Sequence, residues 1–360
     1  MSQSPTSTPV SSSQSPAAVL WNDPSRETAF HNWLFSLGGH SLQPVTLRQA
    51  SVDASFRRYL RIDAASGTRI IMDAPPSKED SKPFVDIARL MAQAGLHVPE
   101  VLAWDVANGF LLLTDLGDKT MMQTMVRDNP QANQATYLQA VDALIAWQLA
   151  SKPGVLPPYD ESLLQRELSL FPDWYLAKHR GIALEGEVRS TLDAAFNRIV
   201  AQNLTWPSVY VHRDFMPRNL MHGSPPGILD FQDAVYGPIT YDIASLMRDA
   251  FLTWEEDFVL DITIRYWEKA RKAGLPVGDD FGAFYRGVEW MGLQRHLKIA
   301  GIFARLTLRD GKPQYLADTP RFIDYIRATC SRYRELKPLL RLIDRVEGIE
   351  AATGFAYGRV

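Results

Sequence analysis

The spacing of apolar residues changes character along the chain and divides it into two regions. Over residues 24–37 apolar positions recur at helical spacing and two glycines follow, which predicts an amphipathic helix. Short runs that alternate or carry β-branched residues come next, separated by turn residues, and they predict a β-meander. These runs lie at residues 44–47, 59–62 and 69–72. A helix over residues 83–95 and strands over residues 100–105 and 110–114 complete the first region.

Beyond residue 116 the pattern is mostly helical. It is interrupted by a proline-rich loop at residues 153–158 and by residues 208–231, where two short apolar strands flank polar loops. A small β-rich region followed by a mostly helical one predicts an α+β fold with two lobes. We expect a disordered tail at residues 1–20, an N-terminal lobe at residues 21–115 and a C-terminal lobe at residues 116–360.

The composition limits the classes of partner. The hydrophobic share of 46% and the charged share of 22% are typical of a globular protein with a substantial core. A net charge of −3 lacks the basic field of a nucleic-acid-binding protein. No apolar run reaches the roughly 18 residues that span a bilayer, and residues 1–18 lack the features of a secretory signal. The single cysteine, Cys330, allows no intramolecular disulfide. We therefore expect a cytoplasmic protein without nucleic-acid or membrane partners.

The strongest chemical pattern lies around residues 208–231. A short apolar strand leads into His212-Arg213-Asp214, Asn219 follows, and a second apolar strand ends at Asp230-Phe231. This H-x-D-x-x-x-x-N spacing, followed by a strand and D-F, is the signature of kinases. Two turn-favouring residues can meet by chance, but chance does not explain four positions with matching spacing and strand context.

Phosphoryl transfer explains why these residue types occur together. The reaction needs little covalent help but much positioning and charge neutralisation. Asp214 can accept a hydrogen bond from the attacking hydroxyl and align it with the γ-phosphorus. Asn219 and Asp230 offer the oxygen ligands that Mg²⁺ prefers.

Longer stretches around this core resemble a known family. They lie at residues 53–59, 72–76, 215–219, 230–238 and 292–298. Over residues 45–340 the chain resembles the aminoglycoside phosphotransferase and choline kinase-like superfamily, relatives of the protein kinases. Within it, the chain looks most like the bacterial anomeric kinases for N-acetylmuramate and N-acetylglucosamine, which serve cell-wall sugar recycling. The resemblance implies a protein-kinase-like fold, an N-terminal lobe that binds nucleotide, a C-terminal lobe that binds substrate and carries out catalysis, and the cofactors ATP and Mg²⁺.

The resemblance also implies roles for individual residues. Asp214 would be the catalytic base, with Asn219 and Asp230 as magnesium ligands. Backbone groups from Leu113 to Asp115 would contact adenine at the hinge between the lobes. The loop at residues 51–57 would cover the phosphates, with the hydroxyl and amide of Ser55 serving where glycines are usual.

One departure from the family pattern concerns the phosphates. Kinases of this type usually carry a lysine on the third strand that binds the α- and β-phosphates. Here the strand at residues 69–73 has no lysine, and the first lysine of the chain is Lys78. Arg57 or Arg58 could supply the charge from the preceding loop, and Lys78 or Lys82 from beyond the prolines. The sequence leaves these alternatives open.

Residues near the motif and on two helix faces are candidates for substrate binding. They are Glu167, Trp174, Arg218, Gln232, Asp233, Arg295 and Lys298. Arg218 could attract a carboxylate or a phosphate, and Arg295 with Lys298 could bind the lactyl carboxylate of a muramyl sugar. A solvated surface or a loop cap explains Arg218, Gln232 and Asp233 as simply as a binding role does, and for each residue on the two helix faces ordinary packing or surface exposure is the simpler explanation.

Three neighbours of the motif have structural expectations. We expect Arg213 to pair with a carboxylate and order the loop, and His212 to pack and hydrogen-bond rather than transfer protons. Asp242 is expected to cap the helix predicted over residues 243–251.

The leading functional hypothesis is an ATP- and Mg²⁺-dependent kinase that phosphorylates the anomeric hydroxyl of N-acetylmuramate, N-acetylglucosamine or both. An aminoglycoside kinase would favour an acidic acceptor site, and a choline-type kinase would need an aromatic cage for a quaternary ammonium. A catalytically silent binding protein on a kinase scaffold is the third alternative. The absent strand lysine favours that third alternative, and the intact Asp214, Asn219 and Asp230 argue against it.

Overall fold

The computed structural model describes residues 19–52 and 56–350. Most of the tail expected at residues 1–20, the candidate Ser55 and the last ten residues therefore lie outside the described residues. The described residues fall into two compact units. The first lies within Met1–Arg89 and Pro99–Leu116, and the second within Leu90–Val98 and Gly117–Val360.

The first unit is built on a five-stranded antiparallel sheet in the order β1-β2-β3-β5-β4. Its elements are α1 (Pro24–Ser36), β1 (Leu42–Val52), β2 (Arg58–Ala64), β3 (Gly67–Asp73), α2 (Lys82–Gln93), β4 (Val101–Asp105) and β5 (Phe110–Thr114). The boundary with the second unit passes through α2. β1 is longer than the predicted run at residues 44–47, because polar residues such as Arg48 and Gln49 continue the ladder with β2.

Helix α1 covers one face of this sheet. Asp23 caps the helix by accepting the backbone N–H of Ser25 at 2.9 Å. The apolar side of α1 then packs on alternate residues of the central strands, as the two-residue period of a strand requires. The resulting core comprises Phe30, Trp33, Leu34, Leu60, Ile62, Ile71, Phe110 and Leu112. Side chains between these positions, such as Tyr59 and Met72, point to the opposite face.

The second unit is mostly helical. Its elements are α3 (Met121–Thr124), α4 (Gln134–Leu149), α5 (Glu161–Leu170), α6 (Gly186–Asn203), β6 (Ser208–Val211), β7 (Leu220–Met221), β8 (Gly227–Ile228), β9 (Val235–Pro238), α7 (Thr240–Met247), α8 (Glu256–Lys272), α9 (Phe281–Leu308), α10 (Gln314–Ala317), α11 (Thr319–Arg332) and α12 (Lys337–Glu347). Helix α5 continues into a π-helical segment, Phe171–His179. The predicted α+β fold class is confirmed.

Helix α9 is the central element of the second unit. It packs against α5, α6, α7, α8, α10, α11 and the π-helical segment, and most of its length is buried. The approach to α5 is close enough that a Cβ on Gly301 would lie 2.3 Å from the backbone of Leu170. Because α9 has neighbours on nearly every side, its charged residues Arg295 and Lys298 lie inside the protein rather than on a polar surface.

Two small antiparallel pairs bring the motif residues together. β6 pairs with β9, and β7 pairs with β8 so that Leu220 lies opposite Ile228. Because β7 and β8 are antiparallel, the residue before β7 and the residues after β8 meet at the same end. The Leu229 N–H accordingly donates to the Asn219 carbonyl at 2.9 Å. Among the described helices, none is long and apolar enough to cross a membrane.

Candidate active site

The loop from His212 to Asn219 is held at its start by Asp242. The buried Asp242 carboxylate accepts the N–H of His212 at 2.7 Å and the N–H of Arg213 at 3.0 Å. These bonds hold Arg213 at a φ of 77°, a left-handed conformation that is unusual for a residue with a Cβ. The expected role of Asp242 is wrong: it lies within α7, whose cap position is Ile239, and it orders the loop instead of capping the helix.

Burial raises the pKa of Asp242 to about 6, although the two accepted N–H groups and the charge of Arg295 oppose the rise. No local pattern could have revealed this role, because the partners of Asp242 lie 29 and 30 residues away in the chain.

His212 packs and hydrogen-bonds as expected. Its Nε2 lies 2.9 Å from the Leu229 carbonyl, and its Nδ1 accepts the Asp214 N–H at 3.3 Å. A carbonyl accepts and an N–H donates, so the ring carries its hydrogen on Nε2 and is neutral. Burial lowers the pKa of His212, consistent with that neutral state. The imidazole thus links the strand end before Asp214 to the strand end before Asp230.

The three motif residues meet around one amide nitrogen. Asn219 Nδ2 donates to the Asp214 backbone carbonyl at 2.9 Å and to Asp230 Oδ2 at 3.3 Å. Gln232 Nε2 donates to the other oxygen of Asp230, Oδ1, at 2.9 Å. Asp230 adopts a φ of 62°, so both strand ends carry a left-handed residue at this site. Strain of this kind concentrates where function fixes a side-chain direction.

Positive charges surround the carboxylate of Asp214. Arg295 Nη2 lies 4.0 Å from Asp214 Oδ1, while the same guanidinium donates to the Arg213 carbonyl and lies over the Tyr241 ring. The Arg295 side chain is 2% exposed and the Asp214 side chain 38% exposed. Burial raises the pKa of Asp214, but the charges of Lys298, Arg295 and Arg213 outweigh it and hold that pKa below its usual value. Asp214 is therefore ionised at neutral pH and can accept a hydrogen bond.

Glu167 balances two of these cations from α5. Its Oε1 lies 2.5 Å from Arg213 Nη2 and 2.8 Å from Lys298 Nζ, and its Oε2 accepts the hydroxyl of Tyr159. Burial raises the pKa of Glu167, but the charges of Lys298 and Arg213 lower it to about 2. The expected pairing of Arg213 with a carboxylate is thus observed. A buried charge is tolerated when it is paired and hydrogen-bonded in this way.

The other substrate candidates have different surroundings. The exposed Arg218 places its guanidinium 4.4 Å from the ring centroid of Phe251. Asp233 is exposed, and its backbone carbonyl accepts from Arg213 Nη1 at 3.4 Å. Trp174 lies in the π-helical segment with Lys178 Nζ 3.5 Å from its ring centroid. These contacts do not connect the side chains of Trp174 or Arg218 to the network around Asp214.

The nucleotide candidates lie in the first unit. Leu113 is buried in β5, opposite Ile70 of β3 and Val101 of β4. The carboxylate of Asp115 receives two hydrogen bonds from Arg61, at 2.6 and 3.0 Å.

Arg57 and Arg58 differ in their surroundings. Arg58 pairs with the buried Asp73, with Nη2 2.6 Å from Oδ2, and its guanidinium lies over the Trp21 ring. Arg57 Nε lies 4.0 Å from Glu79 Oε2, and its side chain is 10% exposed.

The donor set around Asp230 suits a hard cation. The side chains of Asn219 and Asp230 are in hydrogen-bond contact, and both carry oxygen atoms. No group of three or more His, Cys, Asp or Glu residues able to hold a metal occurs in the part of the chain that the structure describes. A Mg²⁺ ion bound here would take its other ligands from phosphate and water, as Mg²⁺ commonly does beside nucleotides.

Known proteins match most of the length of this chain. The model of the family described as phosphotransferase enzyme family matches residues 46–280. A protein of Pseudomonas aeruginosa is 49% identical over 316 residues, covering 87% of this chain and 93% of the relative. A protein of Neisseria meningitidis is 46% identical over 336 residues, covering 92% of this chain and 99% of the relative. Both relatives are named N-acetylmuramate/N-acetylglucosamine kinase.

Solved structures resemble the fold at low sequence identity. A choline/ethanolamine kinase family protein from Mesorhizobium loti has a TM-score of 0.60 at 15% identity, covering 89% of this chain and 99% of its own. An ADP-bound aminoglycoside phosphotransferase has a TM-score of 0.56 at 12% identity, covering 84% and 97%. At such identities the structures bear on the fold alone, and they confirm the predicted fold class.

Proposed function

Because the chain belongs to the phosphotransferase enzyme family, we propose that it is an ATP- and Mg²⁺-dependent kinase for the anomeric hydroxyl of N-acetylmuramate, N-acetylglucosamine or both. The names of relatives at 46% and 49% identity support this substrate class. The observation that carries the proposal is that the Asn219 amide donates to the Asp214 backbone carbonyl and to the Asp230 carboxylate, which brings the two strand ends of the motif together.

Asp214 would accept the hydrogen bond of the acceptor hydroxyl. The surrounding cations keep its carboxylate ionised, and its partial exposure leaves room for a hydroxyl to approach. A carboxylate with a low pKa is a weak base, so it suits an acceptor whose own proton is acidic. An anomeric hydroxyl is more acidic than an ordinary alcohol, which agrees with a sugar phosphorylated at that position.

Asn219 and Asp230 would hold the metal. Asn219 uses its amide nitrogen to bind the Asp214 backbone carbonyl and the Asp230 carboxylate, so its side-chain oxygen would be the atom that binds a cation. Gln232 steadies the other carboxylate oxygen of Asp230. A bound Mg²⁺ would neutralise charge on the phosphates during transfer.

Arg295 and Lys298 would act on Asp214 rather than on the sugar. Arg295 is buried and donates to the Arg213 carbonyl, and Lys298 is paired with Glu167. We therefore assign their positive charge to the ionisation of Asp214. Arg218 is exposed within the same loop and remains the candidate for the carboxylate of a muramyl sugar.

The alternative acceptors differ in the charge that they carry. An aminoglycoside or a choline headgroup would bring positive charge to a site where Arg213, Arg295 and Lys298 lie among the carboxylates of Asp214 and Glu167, so the names of the relatives, rather than charge, favour an amino sugar. The intact metal and acceptor residues weigh against a silent binding protein.

The proposal is tested by incubating the purified protein with Mg-ATP and each amino sugar while following ADP release. A proton–phosphorus coupling on the anomeric proton, measured by NMR, then identifies the phosphorylated position. The matched control is the 1-O-methyl glycoside of N-acetylglucosamine, in which only the anomeric hydroxyl is blocked. We expect turnover with at least one free sugar and none with the glycoside. If neither sugar causes ADP release, the proposed substrate class is refuted. Phosphorylation of the glycoside would refute the anomeric position.

A further inference from the structure

The carboxylate of Asp214 has cations around it but accepts no hydrogen bond from the described residues. Its backbone N–H donates to His212 Nδ1, and its backbone carbonyl accepts from Asn219. Its side chain forms one ion pair within residues 19–52 and 56–350, with Arg295 Nη2 at 4.0 Å, which is longer than a hydrogen bond. An ionised carboxylate can accept several hydrogen bonds, so Asp214 has its acceptor sites open for a hydroxyl.

Two further cations lie near Asp214 but bind a different carboxylate. Arg213 precedes Asp214 in the chain, and Lys298 lies three residues after Arg295 on α9, on the same face of the helix. Neither forms an ion pair with Asp214 in the part of the chain that the structure describes. Both bind Glu167 Oε1, which lies 2.5 Å from Arg213 Nη2 and 2.8 Å from Lys298 Nζ.

Glu167 is fixed in the position where it binds these cations. It is 4% exposed, and its second oxygen accepts the hydroxyl of Tyr159. Tyr159 is held in turn by β9, because its N–H donates to the Tyr236 carbonyl at 2.8 Å. The contact with β9 is close, since a Cβ on Gly237 would lie 2.6 Å from the Cβ of Tyr159. Both oxygens of Glu167 are therefore engaged by protein groups, which does not suit a sugar ligand.

We propose that Glu167 is a positioning residue that holds the cationic groups of Arg213 and Lys298 away from Asp214, and so leaves the Asp214 carboxylate free to accept a hydrogen bond from the acceptor hydroxyl. The catalytic part of this inference rests on the proposed function, because it presumes a hydroxyl as phosphoryl acceptor. A neutral side chain at position 167 accepts hydrogen bonds from cations less strongly than a carboxylate does. Without the charge of Glu167 the two cations would turn to Asp214, and the hydroxyl would have to displace them.

The first test is structural and does not depend on activity. Glu167→Gln keeps the size of the side chain and an acceptor for the Tyr159 hydroxyl, but it removes the charge. In a crystal structure of this variant of the full-length protein, we expect Arg213 or Lys298 to lie within about 3.2 Å of a carboxylate oxygen of Asp214. A structure in which both cations stay away from Asp214 would overturn the inference.

The second test separates turnover from nucleotide binding. We expect Glu167→Gln to lower kcat by about 10- to 100-fold, the size of a charge-assisted hydrogen bond that the hydroxyl must displace. The Kd for Mg-ATP should stay within about threefold of wild type, and Glu167→Asp, which keeps the charge, should recover part of kcat. An unchanged kcat in Glu167→Gln would contradict the proposal.

Glu289→Gln is the matched control. Glu289 is equally buried on α9, pairs with Arg332 and accepts the hydroxyl of Tyr333, but it forms no ion pair with Arg213 or Lys298 in the described chain. Because it also removes the partner of a buried charge, it should lower the melting temperature. Its kcat should remain within about threefold of wild type. A loss of kcat equal to that of Glu167→Gln would show that the effect is a general one of buried charge, and the proposal would fail.

A second background keeps the test decisive if Glu167→Gln alone does not fold. The double variant Glu167→Gln, Lys298→Met removes one anion and one cation together, so Arg213 is the cation that loses its carboxylate. We expect its kcat to lie about tenfold below that of Lys298→Met alone, with Arg213 in contact with Asp214 in the crystal structure. Equal kcat values in these two variants would overturn the inference. If the wild-type protein transfers phosphate to neither amino sugar, the proposed function fails, while the contacts of Asp214 in the variant structures still test the position of the cations.

Discussion

Replacing Arg295 with methionine should move the acid limb of the pH–rate profile to higher pH. Arg295 Nη2 lies 4.0 Å from Asp214 Oδ1. Two unit charges at that distance interact by about 4 kcal/mol at an effective dielectric constant of 20, an upper limit of about three pKa units. Asp214 is 38% exposed, so solvent screening reduces the effect. We therefore expect the pKa of Asp214 to rise by about one unit in the variant.

The sign follows from the protonation state that the reaction uses. Asp214 must be ionised to accept the hydroxyl proton, and its pKa is held below the usual value in the native protein. Activity is therefore kept above that lowered pKa and lost as the pH falls through it. Removing a nearby positive charge raises the pKa, so the loss begins at a higher pH.

The assay measures kcat/KM for the sugar between about pH 3 and pH 7, a window that extends below the usual aspartate pKa of about 3.9. The ratio of variant to wild type at each pH cancels the ionisation of ATP, which is common to both proteins. Arg295→Lys keeps the charge and should leave the limb close to its original position. Arg248→Met is the matched control, since it removes another mostly buried arginine that pairs with Glu256 rather than with Asp214. An unchanged acid limb in a folded Arg295→Met variant would refute the electrostatic role.

Three further predictions concern residues that hold the site and its helices. Asp242→Ala leaves two buried backbone N–H groups without their acceptor, so we expect it to lower the free energy of unfolding by about 2–4 kcal/mol in urea denaturation and to reduce kcat. Gly301→Ala places a Cβ 2.3 Å from the backbone of Leu170 and should cost about 1–3 kcal/mol, whereas Gly38→Ala, with nothing within 4 Å, should change stability by less than about 0.5 kcal/mol. Gln232→Leu removes the amide that hydrogen-bonds Asp230, so we expect Mn²⁺ binding to weaken by about tenfold. Electron paramagnetic resonance in the presence of a non-hydrolysable ATP analogue measures this binding. Unchanged binding would show that the hydrogen bond from Asn219 alone is sufficient.

The sequence predicted the parts of the site whose positions are set by residues close together in the chain. Asp214, Asn219 and Asp230 lie at the ends of short strands that pair antiparallel within one segment, so spacing along the chain translates directly into proximity. The same holds for α1, which was predicted within one residue of its observed end. The apolar centres of β1, β2 and β3 were also identified, whereas the polar ends of these three strands were not.

The parts that the sequence did not predict depend on distant partners. Asp242 resembles a helix cap when only its own helix is considered, yet its carboxylate binds the loop that starts at His212. Arg295 and Lys298 resemble a polar helix face, but α9 is enclosed, and Glu167 with the Arg213 carbonyl supplies their partners. Charge pairing between elements far apart in the chain leaves no periodic signal in the sequence.

The most direct test of the account is phosphoryl transfer by Asp214→Ala. Transfer of the γ-phosphoryl group to N-acetylmuramate and to N-acetylglucosamine is measured alongside the Kd for Mg-ATP. Loss of a positioned base lowers such rates by about 10²–10⁴-fold. We predict a loss of that size with ATP affinity within a few-fold of wild type, because the nucleotide contacts are left in place. Transfer at a rate near that of the wild-type protein would contradict the role of Asp214 and the mechanism built on it.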